Sequence, residues 1–382
     1  MHALSTPTSE TPPDWLRQTA GVVPLQGEAA QRRRGGATSL LVVGAGAIGR
    51  THIDRIGRSP QLALAGIADP SEAGHALALS LGVPWSASHR ELLERVMPQG
   101  AIVATPNATH VPVAMDCLAR GVAALVEKPV ANTVAEAQEL VDAQARSGVP
   151  VLVGHHRRHN PINRRAREIV ASGQLGHIVT ANVMATFFKP EAYFEADWRR
   201  QPGGGPVLIN LIHEIDQLRF LCGEITQVQA ISSNAVRGFA VEDTAAALLR
   251  FENGALGTLV LSDTATAPWG WDFSAGEQDQ YPRQDVPSHF IAGTHGSLSL
   301  PDLSLWHYRG ERSWHAEITR EQTVALKADP YTAQLQHFAA VIRGEETPLC
   351  SALDGLRTLQ ATLAVLEAAT AGAPVSCTVS AT

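Results

Sequence analysis

Between residues 39 and 154 short apolar runs alternate with stretches of helical period. The runs fall at 40–43, 62–68, 101–104, 123–126 and 151–153, with helical stretches between them at 48–56, 71–81, 111–119 and 134–145. Several of these stretches close on a glycine, such as Gly82, Gly121 or Gly148, the residue that most readily ends a helix in a left-handed turn. Continuous rather than alternating apolar runs belong to strands buried on both faces, so the pattern predicts βαβ units and a doubly wound parallel sheet. After Pro161 the texture changes. A helix-like stretch to about residue 172 leads into longer alternating runs at 177–187, 226–232, 244–251, 257–262, 289–292 and 297–300, two of them joined by the hairpin cue Glu252-Asn253-Gly254. A helix-like insert over 207–221 interrupts these strands, and a final helix over 353–369 is expected to pack back on the first domain. The fold class is therefore α/β, a doubly wound parallel sheet followed by an α+β domain with a large, mostly antiparallel sheet. One face of that sheet is left open for a substrate or another subunit.

The chain has 382 residues, more than one hydrophobic core usually organises, and two domains of roughly 150 to 200 residues are expected. The divisions expected are a mobile extension over 1–37, a first domain over 38–158 and a second over 159–382. The extension is rich in Pro, Ser, Thr and Gln and has no periodic apolar pattern. Its Arg32, Arg33 and Arg34 raise an export signal, but the apolar stretch behind them is short and runs straight into Gly44, as a first core strand would. A net charge of −7 gives no overall attraction for nucleic acid or an anionic membrane, and no apolar run approaches the roughly 20 residues that span a bilayer. The four cysteines, Cys117, Cys222, Cys350 and Cys377, form no CxxC pair. That argues against a zinc knuckle or a disulfide framework and fits a reducing cytoplasm.

The chemistry begins at Gly44-Ala45-Gly46-Ala47-Ile48-Gly49, which follows an apolar strand and opens a helix. That context lifts a GxGxxG match above chance. Gly44 permits the tight turn, Gly46 lets backbone approach a pyrophosphate, Gly49 allows close helix–strand packing, and the helix N-terminus attracts the phosphates. Asp69 ends the second strand some 20 residues on, where a carboxylate accepts from ribose hydroxyls and repels a 2′-phosphate. With Pro70 next and no adjacent arginine in sequence, NAD is favoured, NADP remaining possible. The first domain is thus a dinucleotide-binding Rossmann domain. Thr105-Pro106-Asn107, with His110 behind it, closes the next strand at the carboxyl edge, where ligands bind in such folds.

Glu127-Lys128-Pro129 closes the strand at 123–126. Only Lys128, Lys189 and Lys327 are lysines, and an ammonium at the end of a buried strand needs a task or a partner. Burial can bring such a lysine toward neutral pH, where it exchanges a proton with a reacting hydroxyl. The competing expectation is a structural ion pair, which strand alternation disfavours by sending Glu127 and Lys128 to opposite faces. The second element is the run Gly203-Gly204-Gly205-Pro206, leading into Ile209, Asn210 and His213. Glycines let a helix approach a ligand closely, and Asn210 and His213, three apart, share a helical face. His213 can serve as acid or base for an alcohol proton.

From about Leu40 onward the chain resembles the Gfo/Idh/MocA oxidoreductases, the family of glucose-fructose oxidoreductase and inositol dehydrogenase. The resemblance rests on the glycine fingerprint, Thr105-Pro106-Asn107, Glu127-Lys128-Pro129, the segment from Gly154 to Pro161 and the segment from Gly203 to Asp216. It implies a lysine, here Lys128, near the substrate hydroxyl, often with the following proline in a cis bond, and a histidine, here His213, beside it. It also implies cofactor contacts along Gly44, Gly46, Ala47, Ile48, Gly49, Asp69, Thr105, Pro106, Asn107, His110, Glu127 and Lys128. In many relatives an Asp or Asn stands four residues before the histidine, where this chain has Ile209. Either Asn210 takes the orienting role through a change in helix phase, or Lys128 and His213 work without a carboxylate.

The strand at 151–153 ends in Gly154-His155-His156-Arg157-Arg158-His159-Asn160-Pro161. Such a mouth favours an anionic or hydroxyl-rich ligand, with Arg157 and Arg158 orienting it, and His156, Trp198, Asn210 and His213 in contact. Tyr193, Arg199, Trp269 and Trp271 are further candidate walls. No metal is expected, because strand alternation splits His155 from His156 and no acidic cluster lies near in sequence. The function expected is hydride transfer between a nicotinamide and a secondary alcohol on a polyhydroxylated or carboxylated ring: a sugar, cyclitol, sugar acid or cyclic dihydrodiol. The alternatives are an NAD-using glycosidase or a non-catalytic NAD-binding sensor. Family resemblance also implies a homodimer or homotetramer through the open sheet face.

Overall fold

A computed structural model describes residues 36–377; the expected extension over 1–37, with Arg32, Arg33 and Arg34, lies outside them except for Gly36 and Ala37. The first six strands are β1 (Thr38–Val43), β2 (Leu62–Ala68), β3 (Trp85–Ser86), β4 (Gly100–Val103), β5 (Ala123–Val126) and β6 (Val151–Val153). They form one parallel sheet in the order β3-β2-β1-β4-β5-β6. Every residue of β4, β5 and β6 is buried, which is why their sequences read as unbroken apolar runs. The connecting helices are α1 (Ala47–Gly57), α2 (Glu72–Leu81), α3 (His89–Val96), α4 (His110–Leu118) and α5 (Val134–Ser147). α2 starts where Ser71 accepts from the Gly74 N–H, and α5 starts with a capping box between Thr133 and Glu136. Both stop at a left-handed glycine, Gly82 and Gly148. β3 and α3 add to the elements read from sequence; two and eight residues are too short to show a period.

The second half contains α6 (Pro161–Ala171), β7 (Ile178–Thr186), α7 (Ile212–Cys222), β8 (Ile225–Ser233), β9 (Thr244–Phe251), β10 (Leu256–Ser262), the short α8 (Trp271–Ser274), β11 (His289–Gly293), β12 (Gly296–Leu300), β13 (Ser304–His307), β14 (Thr319–Gln322), α9 (Pro330–Arg343), α10 (Ala352–Ala371) and β15 (Val375–Ser376). Nine strands form the sheet β14-β13-β12-β11-β7-β10-β9-β8-β15, antiparallel except where β7 meets β10. Gly254, at φ +86°, turns the hairpin between β9 and β10. The strands bury alternate residues: β9 puts Ala245, Ala247, Leu249 and Phe251 inward and leaves Leu248 and Arg250 outside.

Two cores result, one around the parallel sheet and one between the large sheet and α7. α10 spans both, giving Leu356 and Leu359 to the first and Val365 and Ala368 to the second. It lies so close to β6 that a Cβ on Gly355 would stand 2.7 Å from Val153. α9 adds Leu335 and Phe338 to the first core. The carboxyl ends of β1, β4, β5 and β6 therefore face α7 and the start of α9, and the site lies there.

Candidate active site

The glycine loop has the geometry that its sequence demands. Gly44 sits at φ +94°, and a Cβ there would lie 2.4 Å from the Ala104 carbonyl oxygen; one on Gly49 would lie 2.0 Å from the Gly44 oxygen. A Cβ on Gly46 would meet nothing within 4 Å, so the space over the start of α1 is open. No side chain caps that helix and its first turn holds no acidic residue, which leaves the N–H groups of Ala47 and Ile48 for an anion. Asp69 closes the cradle: one carboxylate oxygen accepts from the Ala45 N–H at 2.6 Å, the other from the Ser71 N–H at 2.8 Å and from the Ser71 hydroxyl. Burial pushes the Asp69 carboxyl up, but these hydrogen bonds and Arg50 outweigh it and hold it below the ordinary value. Arg50 reaches the Ala45 and Ala73 carbonyls, so the fold does place an arginine beside Asp69, although none is adjacent in sequence.

Across the crevice the Thr105 hydroxyl is buried with no hydrogen-bond partner. Pro106 leads into a 3-10 turn over Asn107–Thr109. His110 is buried between two carbonyls, with Nδ1 2.8 Å from the Pro129 oxygen and Nε2 2.8 Å from the Thr105 oxygen. It ties the end of β4 to the end of β5 and turns no nitrogen to the open space. Burial lowers its pKa.

Glu127 and Lys128 do diverge. Glu127 is buried, with Oε1 2.7 Å from His52 Nε2 of α1, and its other oxygen accepts from the Lys128 N–H at 3.3 Å. Burial raises the Glu127 carboxyl, but the His52 contact more than compensates and keeps it ionised. A Cβ on Gly154 would lie 2.9 Å from this carboxylate, which accounts for the glycine after β6. Lys128, followed by a cis Lys128–Pro129 peptide, sends its ammonium to the Ile209 carbonyl oxygen at 3.2 Å. Burial lowers its pKa.

Ile209 presents that carbonyl because the chain ahead of α7 is wound as a π-helix over Val207–Leu211. One extra residue in the turn shifts the helix phase, a distortion frequent at functional sites. Asn210 consequently meets Lys189 rather than Lys128: its Oδ1 accepts from Lys189 Nζ at 2.7 Å. The preceding glycines serve protein packing. Gly204 lies against the Trp198 carbonyl and Gly205 against the carboxylate of Glu242, which caps the Val207 N–H at 2.8 Å. His213 stands one turn beyond Ile209 with Nδ1 buried and unpartnered. Burial, then the charges of Lys128 and Arg157, hold its pKa well below the ordinary value, so the ring is neutral at pH 7 and able to accept a proton.

Around it lies the segment after β6. Arg157 donates to Glu214 at 2.7 Å and to Asp272 at 3.1 Å; Arg158 grips Asp216 with two nitrogens and reaches Asp354 at 3.2 Å and the Leu349 oxygen at 3.0 Å. Both guanidiniums are thus occupied by carboxylates of the protein. His156 lies flat on Tyr331 (4.4 Å between ring centres), meets His213 edge-on (5.3 Å) and has Nε2 3.5 Å from Glu277 Oε1. The fold therefore does gather carboxylates near these histidines, yet no group of three or more His, Cys, Asp or Glu among the described residues could hold a metal. Trp198 stands half exposed beside Arg199. Trp271 is buried under Arg157 and donates to Glu277 Oε2 at 2.6 Å.

Sequence reasoning did not single out Glu277, Tyr331, Asp272 or His52. Tyr331 follows Asp329-Pro330, a helix start legible in the sequence, whereas Glu277 stands in an irregular segment with no local signal. A cleft of about 950 Å³ opens beside this cluster, lined among others by Thr51, Arg55, Asn160, Glu277 and Tyr331.

Comparison with known proteins places the chain in a family. A model of the oxidoreductase family's NAD-binding Rossmann fold matches residues 38–155, and one of the GFO/IDH/MocA C-terminal domain matches residues 163–299. The rhizopine catabolism protein MocA of Rhizobium meliloti is 31% identical over 185 residues, 48% of this chain and 57% of that one. The 1,5-anhydro-D-fructose reductase of Ensifer adhaerens is 28% identical over 307 residues, 79% and 87% of the two chains. The WlbA dehydrogenase from Bordetella pertussis, solved with NADH and UDP-GlcNAcA, superposes with a TM-score of 0.73 at 22% identity, over 90% of this chain and 99% of that one. The chain belongs to the Gfo/Idh/MocA family of oxidoreductases, with an NAD-binding Rossmann fold in its first domain and the family's C-terminal domain in its second.

Proposed function

We propose that this oxidoreductase interconverts a secondary alcohol and a carbonyl on a polyhydroxylated ring, with Lys128 and His213 sharing the proton. The observation that carries this reading is their convergence: the Lys128 ammonium is anchored one helical turn before His213, and it is the strongest charge acting on that imidazole. NAD fits the cradle, because the space over Gly46 is open, Asp69 stands ready for ribose hydroxyls and the buried Thr105 hydroxyl lacks a partner. NAD held there supplies the hydride acceptor. Lys128 polarises the substrate oxygen, and His213, neutral, takes the hydroxyl proton. Since Arg157 and Arg158 are engaged by Glu214, Asp272 and Asp216, the groups left for a ligand suit hydroxyls better than a carboxylate. A second copy of the chain covers the outer face of the large sheet, and the four free, buried cysteines suit a reducing cytoplasm.

The test is an NADH-absorbance screen of polyols, sugar acids and cyclic diols with NAD and NADP. Turnover of a polyol is expected, with Lys128→Ala lowering kcat by roughly a hundredfold or more while NAD binding persists. An active Lys128→Ala protein would overturn the assignment.

A further inference from the structure

Oxidation of an alcohol leaves a proton that must reach solvent. The electron pair of the O–H bond becomes the second carbon–oxygen bond, the hydride goes to the nicotinamide, and the proton arrives on His213. This inference rests on the dehydrogenase reading above. The question is where a proton buried on His213 goes next.

Three routes lead from that ring. His155, in edge contact at 6.4 Å, has both nitrogens buried without partners, and its nearest carboxylate is Asp216 at 3.8 Å. Asp216 is locked by Arg158 and held far below the carboxylate range, which makes it a poor proton acceptor. Glu214, next to His213 in the chain, is held at about 2 against the opposing effect of burial by Arg157 and His289. His156 is the third route. Its ring meets that of His213, and its Nε2 faces Glu277 Oε1 at 3.5 Å, a buried oxygen that accepts no well-formed hydrogen bond, with the Asn160 side chain beside the same carboxylate. The Glu277 side chain is 2% exposed and lines the wall of the 950 Å³ cleft. His156 itself stands among Arg157, Lys128, His155 and His159, all of which disfavour its cationic form, so a proton on it is passed on rather than kept.

We propose that the alcohol proton leaves through His156 to Oε1 of Glu277 and from there to the water of the cleft, so that Glu277 does the work of the carboxylate that Ile209 displaces. Each transfer breaks one N–H or O–H bond and makes another, and His213 and His156 return to neutrality. Glu277 acts through His156, as a positioning residue for the proton. The charged and titratable groups around it are Arg157, Asp272, His156 and Tyr331. Burial raises Glu277 to about 6 in spite of Arg157, which suits a group that must take up and release a proton near neutrality.

The test is Glu277→Gln in the full chain, which keeps an acceptor for Trp271 but cannot ionise. Its kcat at pH 7 is expected to fall by roughly tenfold or more and to recover in part with added formate, while NAD affinity is unchanged. The wild-type kcat–pH profile is expected to carry an inflection near pH 6 that the variant lacks. A variant profile identical to the wild type would overturn the relay and leave the dehydrogenase reading standing, whereas wild-type protein inert to the whole alcohol panel would count against that reading itself. A readout that needs neither turnover nor the variant is NMR of ¹³C-labelled histidines in the wild-type protein. The His156 signal, assigned by its loss in His156→Asn, is expected to shift with an inflection near pH 6; a trace that is flat from pH 5 to 8 would also overturn the proposal.

Discussion

Asp69 carries two loads. Its carboxylate holds Ala45 of the glycine loop and Ser71, and in the function proposed above it also sets the charge that the adenosine ribose meets. Because Arg50 lies against the same loop, removing the carboxylate leaves a cation where NADP carries its 2′-phosphate. Asp69→Ala is therefore expected to raise the KM for NAD by roughly 10- to 100-fold, the worth of hydrogen bonds to a charged group, and to lower that for NADP. Steady-state kinetics with both cofactors checks this, and an unchanged ratio would refute it. At this scale the backbone of the glycine loop was readable in advance: a Cβ on Gly44 or Gly49 would clash and one on Gly46 would meet open space, as their spacing predicts. The partners of Arg157, Arg158 and Asn210 were not, because a side chain's partner is chosen by what the fold brings to it. Glu214, Asp216, Asp272 and Lys189 all come from other elements.

Among the elements, α7 and its π-wound prelude decide the chemistry. The π turn gives Lys128 a carbonyl to hold, and the next turn carries Glu214 and Asp216, which fasten the helix to Arg157 and Arg158. Glu214 lies below its ordinary value of 4.5, at about 2, so the stability that it contributes is present above pH 4.5 and is lost as pH falls toward 2. Glu214→Gln leaves Arg157 short of a counter-charge in a buried site and is expected to destabilise the fold by roughly 3 kcal/mol at pH 7. The gap to the wild type should narrow as pH falls from 4.5 toward 2, where the carboxyl takes up a proton in the unfolded chain before it does in the folded one. Urea unfolding at pH 7 and pH 3 measures both, and a gap that does not change with pH would contradict the account. The insert at 207–221 reads as helical from its apolar period. The single-residue phase slip inside it leaves no mark in that period, since it is set by the carbonyl and carboxylate that the turn must meet.

For the whole molecule, the large sheet has one face on α7 and α10 and another that no element among the described residues covers. On that outer face Leu248 of β9, Thr258 of β10, Asn182 of β7 and Phe290 of β11 stand in one cross-strand row, with Val260 beside it. Leu248, Val260 and Phe290 are 55%, 38% and 43% exposed on this face. If a second copy covers this row, sedimentation of the wild type should show a dimer or tetramer, and Leu248→Asp with Phe290→Asp should yield a folded monomer. A monomeric wild type would remove the proposal.

What the sequence determined by itself is whatever depends on neighbours along the chain. Strands buried on both faces, glycine helix stops, the phosphate loop and the lysine that ends β5 are each written within a dozen residues, because local period and backbone freedom are local properties. β14, polar throughout at one edge of the large sheet, and the two-residue β15 at the other are strands only because a neighbour pairs with them. Tertiary structure alone decided that Glu277, 121 residues beyond His156, stands at its nitrogen, and that Tyr331 lies under the same ring. Burial and the charges of distant elements fix the proton affinity of each such group, and no stretch of sequence contains them both.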